Sequence, residues 1–160
     1  MNKIEKIIIK FNLKLTEGAK VKSTFVIKDN YLFYEDYTDN PNESMFVADY
    51  YDIYTYKANS DFFKENFQNI CEEITCLENL DNTKVDKSMK FTVTISYEDK
   101  TSKRIVFYNT LEENGLNELA RLFKCAIPPC ECYPHFLEPN EIYLDEKTIE
   151  YIEKIKNEEI

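Results

Sequence analysis

The stretch KIIIKFNLKL (residues 6–15) decides the fold class of this chain, because apolar and basic side chains alternate along it. Ile7, Ile9 and Phe11 fall on one side of an extended backbone, and Lys6 and Lys10 fall among the residues opposite. This period-two alternation is typical of a strand with one face against a core and the other in water. Similar runs occupy residues 20–28, 31–37, 91–97 and 104–108, with polar turns between them, and residues 44–56 form a further β-rich run. The sequence therefore predicts an antiparallel sheet of five to six strands.

Two segments outside these runs have the apolar spacing of helices with one buried stripe. The first, residues 60–78, follows an N-cap signal at residues 59–61, and the second, residues 116–126, ends before two prolines, with Gly115 expected to weaken its first turn. Residues 145–159 predict a C-terminal helix. We therefore expect an α+β fold with the two main helices packed on one face of the sheet. The stripes Phe63, Phe67, Ile70, Ile74 and Leu119, Leu122, Phe123 should lie against Phe11, Phe25, Phe91, Val93 and Ile95.

Length and composition limit the classes of protein to which this chain can belong. A chain of 160 residues that is 43% hydrophobic fits one globular domain, with a core of about residues 1–139 and a helical extension at residues 140–160. No apolar run approaches the roughly 18 residues of a membrane span, and lysines interrupt the N-terminal segment where a secretory signal would be apolar. Five cysteines, an odd number, suit a reducing compartment. We expect a soluble cytoplasmic protein, with the composition of an A+T-rich bacterial or phage genome.

The sequence lacks the motifs of the common enzyme classes. Two glycines, Gly18 and Gly115, are too few for a phosphate-binding loop, and the single histidine excludes paired-histidine metalloprotease motifs. No serine-centred nucleophile motif is present. We therefore predict a non-catalytic protein, and an enzyme that uses unrecognised carboxylates is an alternative.

The segment from Cys125 to His135 contains three of the five cysteines and the one histidine. Cys125, Cys130, Cys132 and His135 are residue types that form structural zinc sites. Their C-x4-C-x-C-x2-H spacing, however, differs from the paired knuckles of zinc fingers and ribbons. We therefore predict that they pack structurally and that no cofactor is bound, with a domain held by a Cys/His zinc site as the alternative.

An acidic, tyrosine-rich region follows the first hairpin. Residues 31–83 contain twelve acidic residues and two lysines. Tyrosine favours interfaces, and acids among tyrosines suit a basic partner such as a nuclease or another nucleic-acid-binding protein. The alternative is that these acids pair across strands with the lysines of residues 3–28. The candidate partner-binding residues are Glu35, Asp36, Tyr37, Asp39, Asp49, Tyr51, Asp52 and Tyr54.

The lysines of the first hairpin form a basic strand face. Because the chain has a net charge of −10 and no aromatic and basic ribonucleoprotein motif, this face is better explained by solvation than by direct nucleic-acid binding. In type, the chain resembles the compact acidic proteins of phage and bacterial conflict systems: nuclease inhibitors, immunity proteins, anti-CRISPR and anti-restriction proteins. That resemblance implies a stoichiometric inhibitor of a basic partner. The oligomeric state stays open.

Overall fold

The computed structural model describes residues 3–14, 20–39, 50–58, 60–80, 89–127 and 134–138. In chain order the elements are β1 (Ile4–Lys14), β2 (Lys20–Lys28), β3 (Tyr31–Asp39), β4 (Tyr50–Lys57), α1 (Asp61–Glu73) with a 3-10 turn (Ile74–Asn79), β5 (Lys90–Tyr97), β6 (Ser102–Tyr108) and α2 (Asn117–Ala126). The strands form one antiparallel sheet in the order β4-β3-β2-β1-β5-β6. The predicted α+β class and strand number are confirmed. The predicted helix at residues 145–159 lies outside the described residues.

The central strand β1 joins the two halves of the sheet. Ile9 pairs with Phe25 of β2 on one side and with Val93 of β5 on the other. A slip of one residue in either pairing would move every apolar side chain of that strand to the opposite face. The alternation along β1 therefore fixes its register against both β2 and β5.

The core lies on one face of the sheet, under both helices. Phe25 packs edge-on against Phe123 of α2, with ring centroids 5.7 Å apart. Phe136, from the segment 134–138, contacts both rings at 5.2 and 5.1 Å. All residues of the two predicted helical stripes, and their five predicted strand partners, are buried. The predicted core is confirmed, and Phe136 is an addition to it.

The helix starts follow from local chemistry. Ser60 caps α1, because its Oγ accepts a hydrogen bond from the backbone N–H of Phe63 at 3.2 Å. Gly115 precedes α2 rather than weakening it from within. Its φ of +77° is a left-handed conformation that favours glycine, and it closes the turn that leads into the helix.

Candidate functional site

The structure divides the predicted acidic surface between the two faces of the sheet. Consecutive residues of a strand point to opposite faces, so Glu35 and Asp36 cannot share one. Glu35 lies on the open face, and Asp36 lies on the helix-covered face with 4% of its surface exposed. The expectation that Asp36 belongs to an exposed surface is therefore wrong. Asp36 was placed correctly in a strand from the sequence, but which face of the sheet its side chain would occupy was not considered.

The register places the remaining candidates in the same two groups. Tyr51 pairs with Tyr37 at open-face positions, whereas Asp52 pairs with Asp36 and Tyr54 with Tyr34 at positions of the helix-covered face. Asp39 stands opposite Lys20 in the register of β2 and β3, at an open-face position. Asp49 lies outside the described residues. The open face thus keeps Glu35, Tyr37, Asp39 and Tyr51 of the predicted set.

Asp36 meets the single histidine of the chain. The Nε2 atom of His135 lies 3.3 Å from both carboxylate oxygens of Asp36, and the imidazole stacks on Phe11 with centroids 4.9 Å apart. A carboxylate in this position holds the imidazole in one orientation through its Nε2 atom. The pair fixes the segment 134–138 against β1 and β3.

The zinc candidates are not brought together within the described residues. Cys125 is exposed on α2, where its Sγ lies 3.9 Å from the Nη1 atom of Arg121. Cys130 and Cys132 lie in residues 128–133, outside the described part of the chain. In the described part, no group of three or more His, Cys, Asp or Glu side chains is arranged to hold a metal ion. The prediction that these residues are structural stays a prediction.

The open face of the sheet is strongly basic. Glu35 and Asp39 are the acidic residues whose register positions fall on it. Sequence reasoning identified the lysines of β1 and β2 but missed that β4, β5 and β6 add three more cations to the same face, because strand order brings these strands together. The basic residues at open-face positions are Lys6, Lys10, Lys14, Lys20, Lys22, Lys28, Lys57, Lys90 and Arg104.

The outer side of α1 has the opposite charge. Phe62, Glu65 and Glu73 are spaced by three and eight residues, so they share one helix stripe, and Glu72 borders it. All four side chains are exposed, and Phe62 exposes 62% of its surface. This acidic α1 stripe (Phe62, Glu65, Glu72, Glu73) was missed in the sequence, where Phe62 stands one residue outside the buried stripe.

A cavity of about 490 Å³ lies at the end of the sheet, between β1, the β2–β3 turn and α1. Lys3, Lys28, Lys64 and Cys71 are among its lining residues. Burial, more than the charge of Glu72, raises the pKa of the Cys71 thiol to about 12, although Lys3 acts in the opposite direction. The thiol is therefore protonated at neutral pH, unlike an activated nucleophile.

The described residues contain no helix with the length and apolar character of a membrane crossing.

Two charged surfaces stand out in the described part of the chain: the acidic α1 stripe and the basic open face of the sheet. No protein-family model, curated protein or solved structure matches this chain, so these surfaces are what its function is inferred from.

Proposed function

We propose that this chain is a non-catalytic, cytoplasmic binding protein that inhibits a basic partner protein by stoichiometric contact through the acidic α1 stripe. The observation that carries the proposal is the exposure of Phe62, 62%, beside three exposed glutamates. A ring with most of its surface in water contributes little burial energy to the fold. At an interface, such a ring fills a pocket and contributes much of the binding energy.

The charge around Phe62 selects the kind of partner. Glu65, Glu72 and Glu73 create a negative field along the helix, and Lys64 is the one basic residue of α1. A field of this sign accelerates encounter with a positively charged surface and disfavours acidic proteins. Nucleases and other nucleic-acid-binding proteins present such positive surfaces, which supports an anti-defence or immunity role of the phage and bacterial type.

The acidic α1 stripe replaces the surface proposed from sequence for two reasons. Asp36 is buried, and the two acidic positions left on the open face are outnumbered by basic ones, with Lys20 opposite Asp39 in the register. Their field is therefore largely cancelled at short range. Within α1 itself the one basic residue, Lys64, is two positions from Phe62 and so falls on the opposite side of the helix.

The test is capture followed by an activity assay. Immobilised chain should retain from host lysate, at low salt, a basic protein in a 1:1 ratio, and should inhibit the activity of that protein after purification. The double substitution Glu65→Lys and Glu73→Lys should abolish both results while the melting temperature stays unchanged. Phe62→Ala should shorten the lifetime of the complex.

For the single substitution Glu65→Lys, Glu35→Lys is the matched control, because it makes the same charge change on the open face. Capture should survive it. If Glu35→Lys abolishes capture and the α1 substitutions do not, the contact lies on the surface first proposed from sequence, and the assignment to α1 is wrong. Retention of the partner without inhibition would contradict the inhibitor function.

A further inference from the structure

We propose that the open face of the sheet is a second binding surface, which accepts an acidic amphipathic helix of a partner protein. The proposal is independent of the function assigned to the acidic α1 stripe, because it concerns the opposite layer of the domain and a partner of opposite charge. It rests on the arrangement of apolar and basic side chains across β3, β2 and β1.

The centre of the open face is an apolar row. Phe33 pairs with Val26, Val26 pairs with Ile8, and Ile8 pairs with Thr94, so the row runs perpendicular to four strands. Neighbouring strands are about 4.8 Å apart, which makes the row about 14 Å long. The four side chains are only partly buried, because both helices pack on the opposite face. Near the end of the row, at the sheet edge, Ile53 exposes 57% of its surface.

Lysines border this apolar row on both sides. Lys6 and Lys10 each stand two residues from Ile8 on β1, so their backbone positions are about 13 to 14 Å apart. An α-helix with its side chains is about 10 to 12 Å in diameter. A helix laid along the row therefore fits between the lysines. On β2, Lys28 continues the border that Lys6 begins, whereas Thr24 lies opposite Lys10 and Lys22 stands two residues beyond Thr24.

The partner helix must carry apolar and acidic side chains that complement the apolar row and the lysines. An apolar stripe facing Phe33, Val26 and Ile8 would be buried, and carboxylates on both flanks of the helix would reach the lysines. This gives an apolar centre with a charged rim, which is the ordinary anatomy of a protein interface. The described open-face positions hold nine basic residues and two acidic ones, in a chain of net charge −10, and this makes the face complementary to an acidic partner.

A nucleic acid is the rival anionic occupant, and the observations favour it less. Single strands bind sheets through aromatic side chains on which bases stack. Tyrosines do occupy open-face positions, but they lie on β3, β4 and β6 (Tyr31, Tyr37, Tyr51 and Tyr108). On the central strands β1 and β2 the row is formed by the aliphatic Ile8 and Val26. The net charge of −10 also repels a polyanion more strongly than it repels a helix with a few glutamates.

The experiment uses the full chain and a synthetic helical peptide of about 18 residues, with leucines on one stripe and glutamates on both flanks. Binding is measured by fluorescence anisotropy. A scrambled peptide of the same composition and an oligothymidine of similar length serve as comparison ligands. We expect the designed peptide to bind at least about tenfold more tightly than either. Equal affinity for the scrambled peptide, or tighter binding of the oligonucleotide, would overturn the proposal.

Substitutions then locate the peptide. Lys10→Glu should weaken peptide binding roughly tenfold, whereas Lys64→Glu, an equivalent charge reversal on α1, should leave it unchanged. Phe33→Ala should also weaken it, with the melting temperature measured to show that the fold is retained. Equal losses from Lys10→Glu and Lys64→Glu would show a general charge effect and contradict a defined site. The α1 substitutions that abolish partner capture should not affect peptide binding, so the two proposals can fail separately.

Discussion

His135 contacts Asp36 across 99 residues of sequence, with its Nε2 atom 3.3 Å from each carboxylate oxygen. The contact joins the segment after α2 to β3 and places a polar pair at the border of an otherwise aromatic core. Asp36 is buried, so its carboxylate depends on protein groups rather than on water for hydrogen bonds. The candidate residue chosen from sequence as a binding group therefore has a structural role.

Replacing Asp36 with alanine should lower the free energy of unfolding by about 2 kcal/mol, because hydrogen bonds to a charged group are lost within the protein. Urea denaturation measures the change. Glu35→Ala is the matched control, since Glu35 is the adjacent acid on the open face, and it should cost less than about 0.5 kcal/mol. Equal effects of the two substitutions would contradict the assignment of Asp36 to the core.

Substitutions of phenylalanine provide a second test, of which side of α1 packs against the core. Phe67→Ala should cost about 3 to 5 kcal/mol, because Phe67 is buried and its removal leaves a cavity. Phe123→Ala on α2 should cost a similar amount. Phe62→Ala, on the exposed side of the same helix, should change the unfolding free energy by less than about 0.5 kcal/mol. A large loss from Phe62→Ala would show that α1 is rotated relative to the described structure.

Hydrophobic periodicity was sufficient to predict the sheet and both helices. The signal is strong because burial on one face demands alternation in a strand and a stripe in a helix. Ile9 and Phe25, for instance, occupy the core positions that the alternation assigns to them. The role of Phe136 was not predictable, since the residue lies in a short irregular segment where burial imposes no period.

The candidate site was less predictable, because a surface depends on which strands are neighbours. Glu35 and Asp36 are adjacent acidic residues that the sequence does not distinguish, and they differ in the face of the sheet that each occupies. Likewise Lys57 and Arg104 join the basic face through strand order, which periodicity does not encode. Charge counted along the chain therefore indicated one acidic region, whereas the folded chain has an acidic helix and a basic sheet face.

An ion pair between α2 and the preceding turn gives a third stability prediction. Lys124 Nζ lies 3.0 Å from Glu112 Oε1, and each side chain is 7% exposed. Glu112 Oε2 also accepts a hydrogen bond from the backbone N–H of Glu138 at 3.0 Å. In a double-mutant cycle with Glu112→Gln and Lys124→Met, the coupling energy should be at least about 1 kcal/mol.

The exposed pair Glu118 and Arg121 is the control for that cycle. It lies on the same helix, and its guanidinium and carboxylate groups face water. Its coupling energy should be below about 0.5 kcal/mol, because solvent screens the attraction. If both cycles gave the same coupling energy, burial of Lys124 and Glu112 would be contradicted.

Metal content tests the Cys/His segment. We expect protein purified without chelator to contain less than a stoichiometric amount of zinc, since the spacing of Cys125, Cys130, Cys132 and His135 does not form paired knuckles. Elemental analysis by mass spectrometry is the measurement. One zinc per chain that is lost when Cys130 and Cys132 are changed to serine would establish a metal site and make this prediction wrong.

Cysteine labelling tests the burial of α1 and its 3-10 turn. Burial is the main cause that raises the pKa of Cys71, to about 12, and of Cys76, whereas Cys125 is exposed. Alkylation requires the thiolate, so a raised pKa lowers the reactive fraction at pH 8. Iodoacetamide should therefore label Cys125 before Cys76 and Cys71, and peptide mass spectrometry can follow the order of labelling.

The pH dependence of labelling gives a further test. Because the pKa of Cys71 lies far above the assay range, the rate of Cys71 alkylation should still rise about tenfold per pH unit between pH 8 and 10. A plateau for Cys71 in that range, or labelling as fast as Cys125 at pH 8, would show that α1 is not packed as described.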